Sequence, residues 1–284
     1  MMNENELVSK VKDTLITAGS TFTEDKIKVY ENALKHEKNE NARFVLQAIL
    51  DNAMVAQRNK SPLCDDTGIP HLVLEVGPES VITGKMLNNI RRGVKEGLKA
   101  LPGRPMGILG NDMERIDQSG GISYLSEDVE QAPILIKETN ENITRLNILM
   151  FGGGPAIRAK TYRIFHKHNT KVVVDEIVSW ATEAVTQLGC TPCTLAVGIG
   201  RSHYEASAMM MEALVDGNYE MQSDLEKEIT VRVNESNVGP LGLHGNTSVL
   251  ATFVKVGPQR ASGVRIVCLR PCCCFEPRIA KVVL

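Results

Sequence analysis

Residues 134–138 read ILIKE and residues 143–151 read ITRLNILMF, and the second run passes directly into Gly152, Gly153 and Gly154. Apolar and polar residues alternate along both runs, the period of a strand with one buried face. A glycine run straight after a strand marks a turn. Working outward, residues 71–77 (HLVLEVG) read as a short strand, and residues 83–100 as an amphipathic helix closed by Pro102 and Gly103. In the other direction, VVVDEIV (172–178) continues as a helix to Leu188, and residues 204–215 and 219–236 read helical. TLAVGIG (194–200), VLATFVKV (249–256) and VRIVCL (264–269) read as strands. Residues 4–59 are helical, with Leu7, Val11, Leu15 and Ile16 at helical spacing and a break at Gly19-Ser20. Thr23 then opens a second helix with an acidic first turn, and residues 41–57 form a strongly apolar helix. This interleaving predicts an α/β (α+β) fold, helices packed around small mixed sheets. With no internal repeat and no clear linker, residues 1–284 read as a single domain.

Composition narrows the function classes. The chain has 284 residues, 43% hydrophobic and 23% charged, an ordinary globular balance able to bury a sizeable core. Thirty-two basic against 34 acidic residues give a net charge of -2, with no basic excess to attract nucleic acid or an anionic membrane. No run approaches the length of a spanning helix, and MMNENELVSK lacks the features of a signal peptide. The cytoplasm is the expected location.

The cysteines are anomalous. Cys64, Cys190, Cys193, Cys268, Cys272, Cys273 and Cys274 number seven, which no fully paired intramolecular disulfide set can accommodate. A disulfide scaffold is not expected without secretion. Metal ligation, a catalytic thiol and inert buried thiols remain. Cys190 and Cys193 have the C-x2-C spacing of a zinc site, but no second isolated pair completes it. A catalytic thiol would need a base such as His166, His168, His203 or His244. A cluster on three thiolates is the third option. An iron–sulfur cluster normally takes four cysteines. Three leave one iron open to bind a hydroxyl and a carboxylate as a Lewis acid. Asp65, Asp66 and Thr67 supply polar chemistry beside Cys64.

Several segments in order carry a family resemblance. SPLCDDTGIP (61–70) resembles the P-x-C-Q-D-T-G segment of the iron–sulfur class I fumarases and L-tartrate dehydratases. FGGGPAIRAK is similar to their K-G-G-G-S segment, and GCTPCTLAVGIG to C-P-P-x-x-x-x-x-x-I-G-G. VGPLGLHGNTSVL resembles their G-x-x-G-L-G-G-x-T-x-x-L segment, and CFEPR resembles their closing C-x3-R. The resemblance runs from about residue 40 onward and corresponds to the separate α subunit of two-subunit enzymes. It implies a [4Fe-4S] cluster held by Cys64, Cys190 and one of Cys272, Cys273 and Cys274, on loops at strand ends. The C-x3-R spacing favours Cys274, whereas counting back to the preceding strand favours Cys272. It further implies a hydro-lyase acting on a small dicarboxylate, in a hetero-oligomer whose β subunit supplies part of the active site.

The resemblance assigns Asp66, with Asp65 and Thr67, to the catalytic segment. Arg104 and the Gly152–Gly154 turn become substrate clamps, suited to carboxylates by the guanidinium fork and by accessible backbone N–H groups. Three positions depart from the family. Asp65 stands where the family has glutamine, adding a charge that would repel a dianion unless protonated or paired. Arg201 replaces a glycine. The family's active-site histidine falls near Gln259 or Arg260 and is missing, and His244, in a glycine position, is a possible substitute. Cys193 and Cys268 are expected in the core.

Overall fold

The computed structural model describes residues 3–101, 103, 104 and 106–284. The chain divides into two compact units. Unit one comprises Met1–Phe22, Ala53–Gly152 and Arg278–Leu284; unit two comprises Thr23–Asn52 and Gly153–Pro277. The fold is α/β, as the interleaved pattern predicts, with one four-stranded mixed sheet in each unit.

Unit one contains helix α1 (Glu4–Ser20), and its sheet is built on strand β1 (Ile69–Val76). The helices α2 (Glu24–His36) and α3 (Glu40–Asn59) lie between them in sequence, and the unit boundary falls within α3. Helix α4 (Gly84–Ala100), the short helix α5 (Asp112–Asp117), and strands β2 (Leu135–Glu138) and β3 (Thr144–Phe151) follow. The final strand β8 (Ile279–Val283) gives the order β2-β1-β3-β8. The ILIKE and ITRLNILMF runs are thus strands of one sheet, but they do not pair: β1 lies between them, parallel to β2 and antiparallel to β3. Leu72 opposes Ile148 and Leu74 opposes Leu146. These four pack with Leu7, Val11 and Leu15 of α1 and Ile90, Val94 and Leu98 of α4. The register also sets Glu75 opposite Arg145, whose guanidinium donates to its carboxylate at 2.9 Å.

Unit two places strand β5 (Cys193–Gly200) at the centre of the order β4-β7-β5-β6. It pairs with β6 (Val249–Val256) and β7 (Val264–Cys272), and β4 (Lys160–Phe165) pairs with β7 at the edge. Every residue of β5 is buried, which explains its unbroken apolar run. Cys193, Leu195, Val197 and Ile199 pack with helices α7 (Thr170–Leu188) and α9 (Asp224–Asn234). Gly198 and Gly200, on the other face, meet helix α8 (His203–Asp216). A Cβ on Gly198 would collide with the Ala206 carbonyl and the Met210 amide, so glycine there admits the α8 backbone against the strand. The short helix α6 (Gly153–Arg158) precedes β4.

Several boundaries differ from the sequence reading, each for a local reason. Strand β4, largely exposed and rich in basic residues, is an edge strand without a buried alternating face. The VVVDEIV segment is helical from Thr170, because Val173, Val174 and Ile177 share a buried face with Trp180 and Ala181. Residues 219–222 stay outside α9: Asn218 accepts from the amides of Glu220 and Met221, and Ser223 caps the helix in a box with Glu226. Strand β7 runs on to Cys272, which pairs opposite Thr194. Among the described residues, no helix is long and apolar enough to cross a membrane.

Candidate metal centre and substrate loop

Unit one carries the Cys64 loop between α3 and β1. Its amide and carbonyl groups have named destinations, as buried loops require. The Leu63 amide donates to Gly19 O at 3.0 Å and the Thr67 amide to Asp65 O at 3.0 Å. Gly68 holds φ +83°, the left-handed region, where an added Cβ would meet Arg278 Nη2 and the Phe151 carbonyl at 2.7 Å. Arg278 is 2% exposed. Its Nη1 donates to Asp66 O at 2.7 Å and its Nε to Met150 O at 3.2 Å, while its own carbonyl accepts from the Met150 amide at 3.0 Å. One buried guanidinium therefore fixes the Cys64–Gly68 loop to the end of β3.

The acidic side chains of this loop differ. Asp65 is exposed and Asp66 half-buried. The Cys64 thiol donates to Asp65 Oδ1 at 3.4 Å, and Arg104 Nη1 stands 3.5 Å from Oδ2. The thiol contact, the Asp66 amide and Arg104 together hold the Asp65 carboxyl below its ordinary range. The charge added where the family has glutamine is thus paired, and with the arginine expected to clamp substrate. Thr67 is buried, its hydroxyl directly against Gly103. Gly152 closes β3 in unit one, whereas Gly153 and Gly154 open α6 in unit two. A Cβ on Gly154 would stand in open space, so no neighbour in the chain demands glycine there.

Unit two carries the other expected ligands. Cys190 lies in the turn before β5 and is exposed; Cys274 follows β7 and is buried. The structure brings these two together: the Cys274 amide donates to the Cys190 carbonyl at 2.9 Å. Tyr30 of α2, 0% exposed, donates its hydroxyl to the Cys274 carbonyl at 2.6 Å. Cys272 points into the core from the end of its strand, and burial pushes its thiol well up. Contact with Cys273, then burial, does the same for Cys274. Cys193 and Cys268 are both core residues.

Sequence reading missed the surroundings of this loop. Lys26 is 0% exposed, one helical turn before Tyr30. Burial pulls its ammonium down to about 8, against the opposing pull of Cys273, Cys274, Cys272 and Glu276. Glu276 is itself bound to Arg270, with both side chains buried and Nη2 at 3.0 Å from Oε2. The one available signal for Lys26 was a lysine in the first turn of a helix, where the macrodipole disfavours a cation.

Three alternatives can be weighed on this geometry. The C-x2-C pair is split between environments, Cys190 exposed and Cys193 sealed in the core. Among the described residues, no group of three or more His, Cys, Asp and Glu side chains is gathered around one point to hold a metal ion. The split opposes a structural zinc site on this pair, whose four ligands converge on one ion. Two of the candidate bases are engaged elsewhere: His166 Nε2 lies 2.6 Å from Ser262 O, and His244 Nδ1 lies 3.1 Å from Asn237 O. Gln259 donates to Ile199 O and Gly257 O, at the opposite end of β5 from Cys193. Arg201 is tied to Glu205 at 2.6 Å. The donor chemistry fits an iron–sulfur group: Cys64, Cys190 and Cys274 are thiols outside any disulfide, on loops beside strand ends.

The sequence profile of a family described as "Fumarate hydratase (Fumerase)" matches residues 8–283. The "Putative L(+)-tartrate dehydratase subunit alpha" of Methanocaldococcus jannaschii is 25% identical over 287 residues, covering 95% of this chain and 96% of that protein. The "L(+)-tartrate dehydratase subunit alpha" of Escherichia coli is 21% identical over 277 residues, covering 92% and 84% respectively. A protein of the same name from Shigella sonnei matches to the same extent.

Proposed function

Because the chain belongs to the fumarate hydratase (Fumerase) family, we propose that it is the α subunit of a [4Fe-4S]-dependent hydro-lyase. Its substrate is a small dicarboxylic hydroxy acid of the malate or tartrate type, or the corresponding unsaturated acid. The observation that carries the cluster reading is the hydrogen-bonded pairing of the Cys190 and Cys274 loops beside a buried lysine. Cys64, Cys190 and Cys274 would hold the cluster. When bound, it supplies a Lewis acid, through an iron without a thiolate, for the departing hydroxyl.

The chain's own residues do the rest. Arg104 and the Gly152–Gly154 turn bind and orient carboxylates, by bidentate hydrogen bonding and by backbone N–H groups. Asp66, held by the Arg278 contact to its carbonyl, handles a proton at the reacting carbons, with Asp65 and Thr67 shaping the same loop. Dehydration breaks one C–O bond and one C–H bond on adjacent carbons, forms the double bond, and releases one water. The relatives named "subunit alpha" support a β subunit that completes the site, with a base and further cations. In this reading residues 1–284 work as one catalytic domain in a cytoplasmic hetero-oligomer.

The test is anaerobic. Protein reconstituted with ferrous iron and sulfide should turn brown, carry about four irons per chain, and dehydrate a hydroxy-dicarboxylate once the short partner subunit is added. Colourless protein with stoichiometric zinc and no iron would overturn the reading.

A further inference from the structure

Residues 107–125 of unit one form an ordered arm. The Leu109 amide donates to Gly121 O at 2.8 Å and the Ser123 amide to Gly107 O at 2.9 Å, so two limbs pair antiparallel around the Ile108↔Ile122 bridge. Helix α5 joins the limbs and is capped by a box between Asn111 and Glu114. A Cβ on Gly121, at φ +71°, would strike the Gly110 backbone, so glycine there lets the limbs close. Backbone groups satisfied in this way make a built element rather than a loose loop.

Its side chains have no such partners in the fold. No residue of α5 is buried. Met113 and Ile116, three apart on one helix face, are 69% and 80% exposed, and Tyr124 is 89% exposed. Leu109, Ile122 and Leu125 are exposed as well. One exposed apolar residue is ordinary, but six between Leu109 and Leu125 on a fixed backbone mark an interaction surface.

Charge and position say what covers it. Residues 107–130 carry six acidic side chains against Arg115 alone. Two copies meeting arm to arm would set these charges against each other, a costly arrangement. A partner with an apolar patch rimmed by lysine or arginine would complement them. The arm is also rooted at the substrate loop. Before its first limb, Gly103 lies against the Thr67 side chain and Arg104 reaches Asp65 at 3.5 Å. After its second limb, the Ser126 hydroxyl donates to Leu98 O at 3.1 Å and the Ala132 amide to Pro70 O at 2.9 Å, just beyond Gly68. A protein seated on the arm is therefore connected through both roots to the Cys64–Gly68 segment.

We propose that residues 107–125 are the docking arm for the short partner subunit, whose matching surface is apolar with a basic rim, and that docking there bears on Gly103 and Arg104 at the substrate loop. The inference rests on the two-subunit reading above, and its test reads association rather than activity.

The full-length chain and the short partner subunit are purified separately, and their association is measured by calorimetry, with light scattering for stoichiometry. Ile116→Glu and Tyr124→Ala should each weaken binding by about ten-fold or more, the loss expected of an apolar or aromatic anchor. Asp117→Asn should weaken it less, and that difference should vanish at high salt. Met221→Glu, at a comparably exposed position in unit two, should leave affinity unchanged. All four side chains face solvent, so each variant should melt with wild type and take up the same iron on anaerobic reconstitution. Wild-type affinity in both Ile116→Glu and Tyr124→Ala overturns the proposal while the two-subunit reading stands. A wild-type chain that does not bind the short subunit defeats both. A chain that is dimeric alone and monomeric as Ile116→Glu, with the short subunit still bound, assigns the arm to a second copy and overturns the proposal.

Discussion

The two cysteine loops are built to opposite specifications. In unit one, Cys64 and Asp65 reach solvent, and the Asp65–Arg104 contact is long, with both side chains more than half exposed. In unit two, Cys274 is buried, its backbone is fixed by Cys190 and Tyr30, and a buried lysine and a buried arginine–carboxylate pair surround it. A weak, wet ion pair is easily exchanged, whereas a dry, hydrogen-bonded loop is costly to rearrange. The first loop is suited to turnover and the second to retention.

The sharpest way to break this comparison is to remove the thiols. Cys64→Ser, Cys190→Ser and Cys274→Ser should each abolish iron retention, whereas Cys193→Ser should keep most of it, as read by iron content after anaerobic purification. Loss of iron in Cys193→Ser with retention in Cys190→Ser would reverse the assignment of that loop. Next in size, Arg278→Ala strips a partner from the part-buried Asp66 carbonyl and one from the buried Met150 carbonyl. It should destabilise the protein by about 2–4 kcal/mol, measured by denaturant unfolding. A stability unchanged from wild type would show that the Cys64 loop is not fixed in this way.

Asp65→Asn should free Arg104 for substrate. Because an exposed, solvent-screened pair contributes little, the expected result is a KM lowered by at most a few-fold, with iron content unchanged. A raised KM would instead make the Asp65 charge part of the binding set. The smallest effect belongs to Arg201, whose bond to Glu205 holds that carboxyl below its ordinary range. The contribution is in place above pH about 4.5 and is lost as the pH falls through the depressed folded value. Arg201→Ala should therefore reduce melting temperature slightly at neutral pH and not at all at strongly acid pH.

Much of this was legible in the sequence where a single physical signal acted alone. The apolar runs of β5 and of the second half of β3 announced strands because burial on both faces leaves consecutive apolar residues, although the one-faced alternation read for β3 is absent: Leu146–Phe151 are all buried. Strands β4 and β8 left none, since an edge strand shares little buried surface. The cysteines stood out by composition, and the C-x3-R spacing pointed to Cys274. What sequence could not supply was the company kept by Cys274. Lys26 and Tyr30 are 248 and 244 residues away, and such contacts are set by packing alone. Arg278 was visible as a motif letter, but its work, holding two carbonyls in the other segments of unit one, depends on the registry of β8 against β3.

The discontinuity of unit one also has a consequence for biosynthesis. Strand β8 pairs along β3 from Arg145↔Val283 to Leu149↔Ile279, yet 125 residues of unit two, 153–277, are translated between them. Until the ribosome has passed residue 283, the nascent unit one presents β3 as a bare edge carrying Leu146, Ile148 and Met150. Such an edge is a template for pairing with neighbouring chains. A stalled or prematurely terminated product would thus be an aggregation hazard, and the cell's handling of this protein depends on completing translation as much as on the stability of the finished fold.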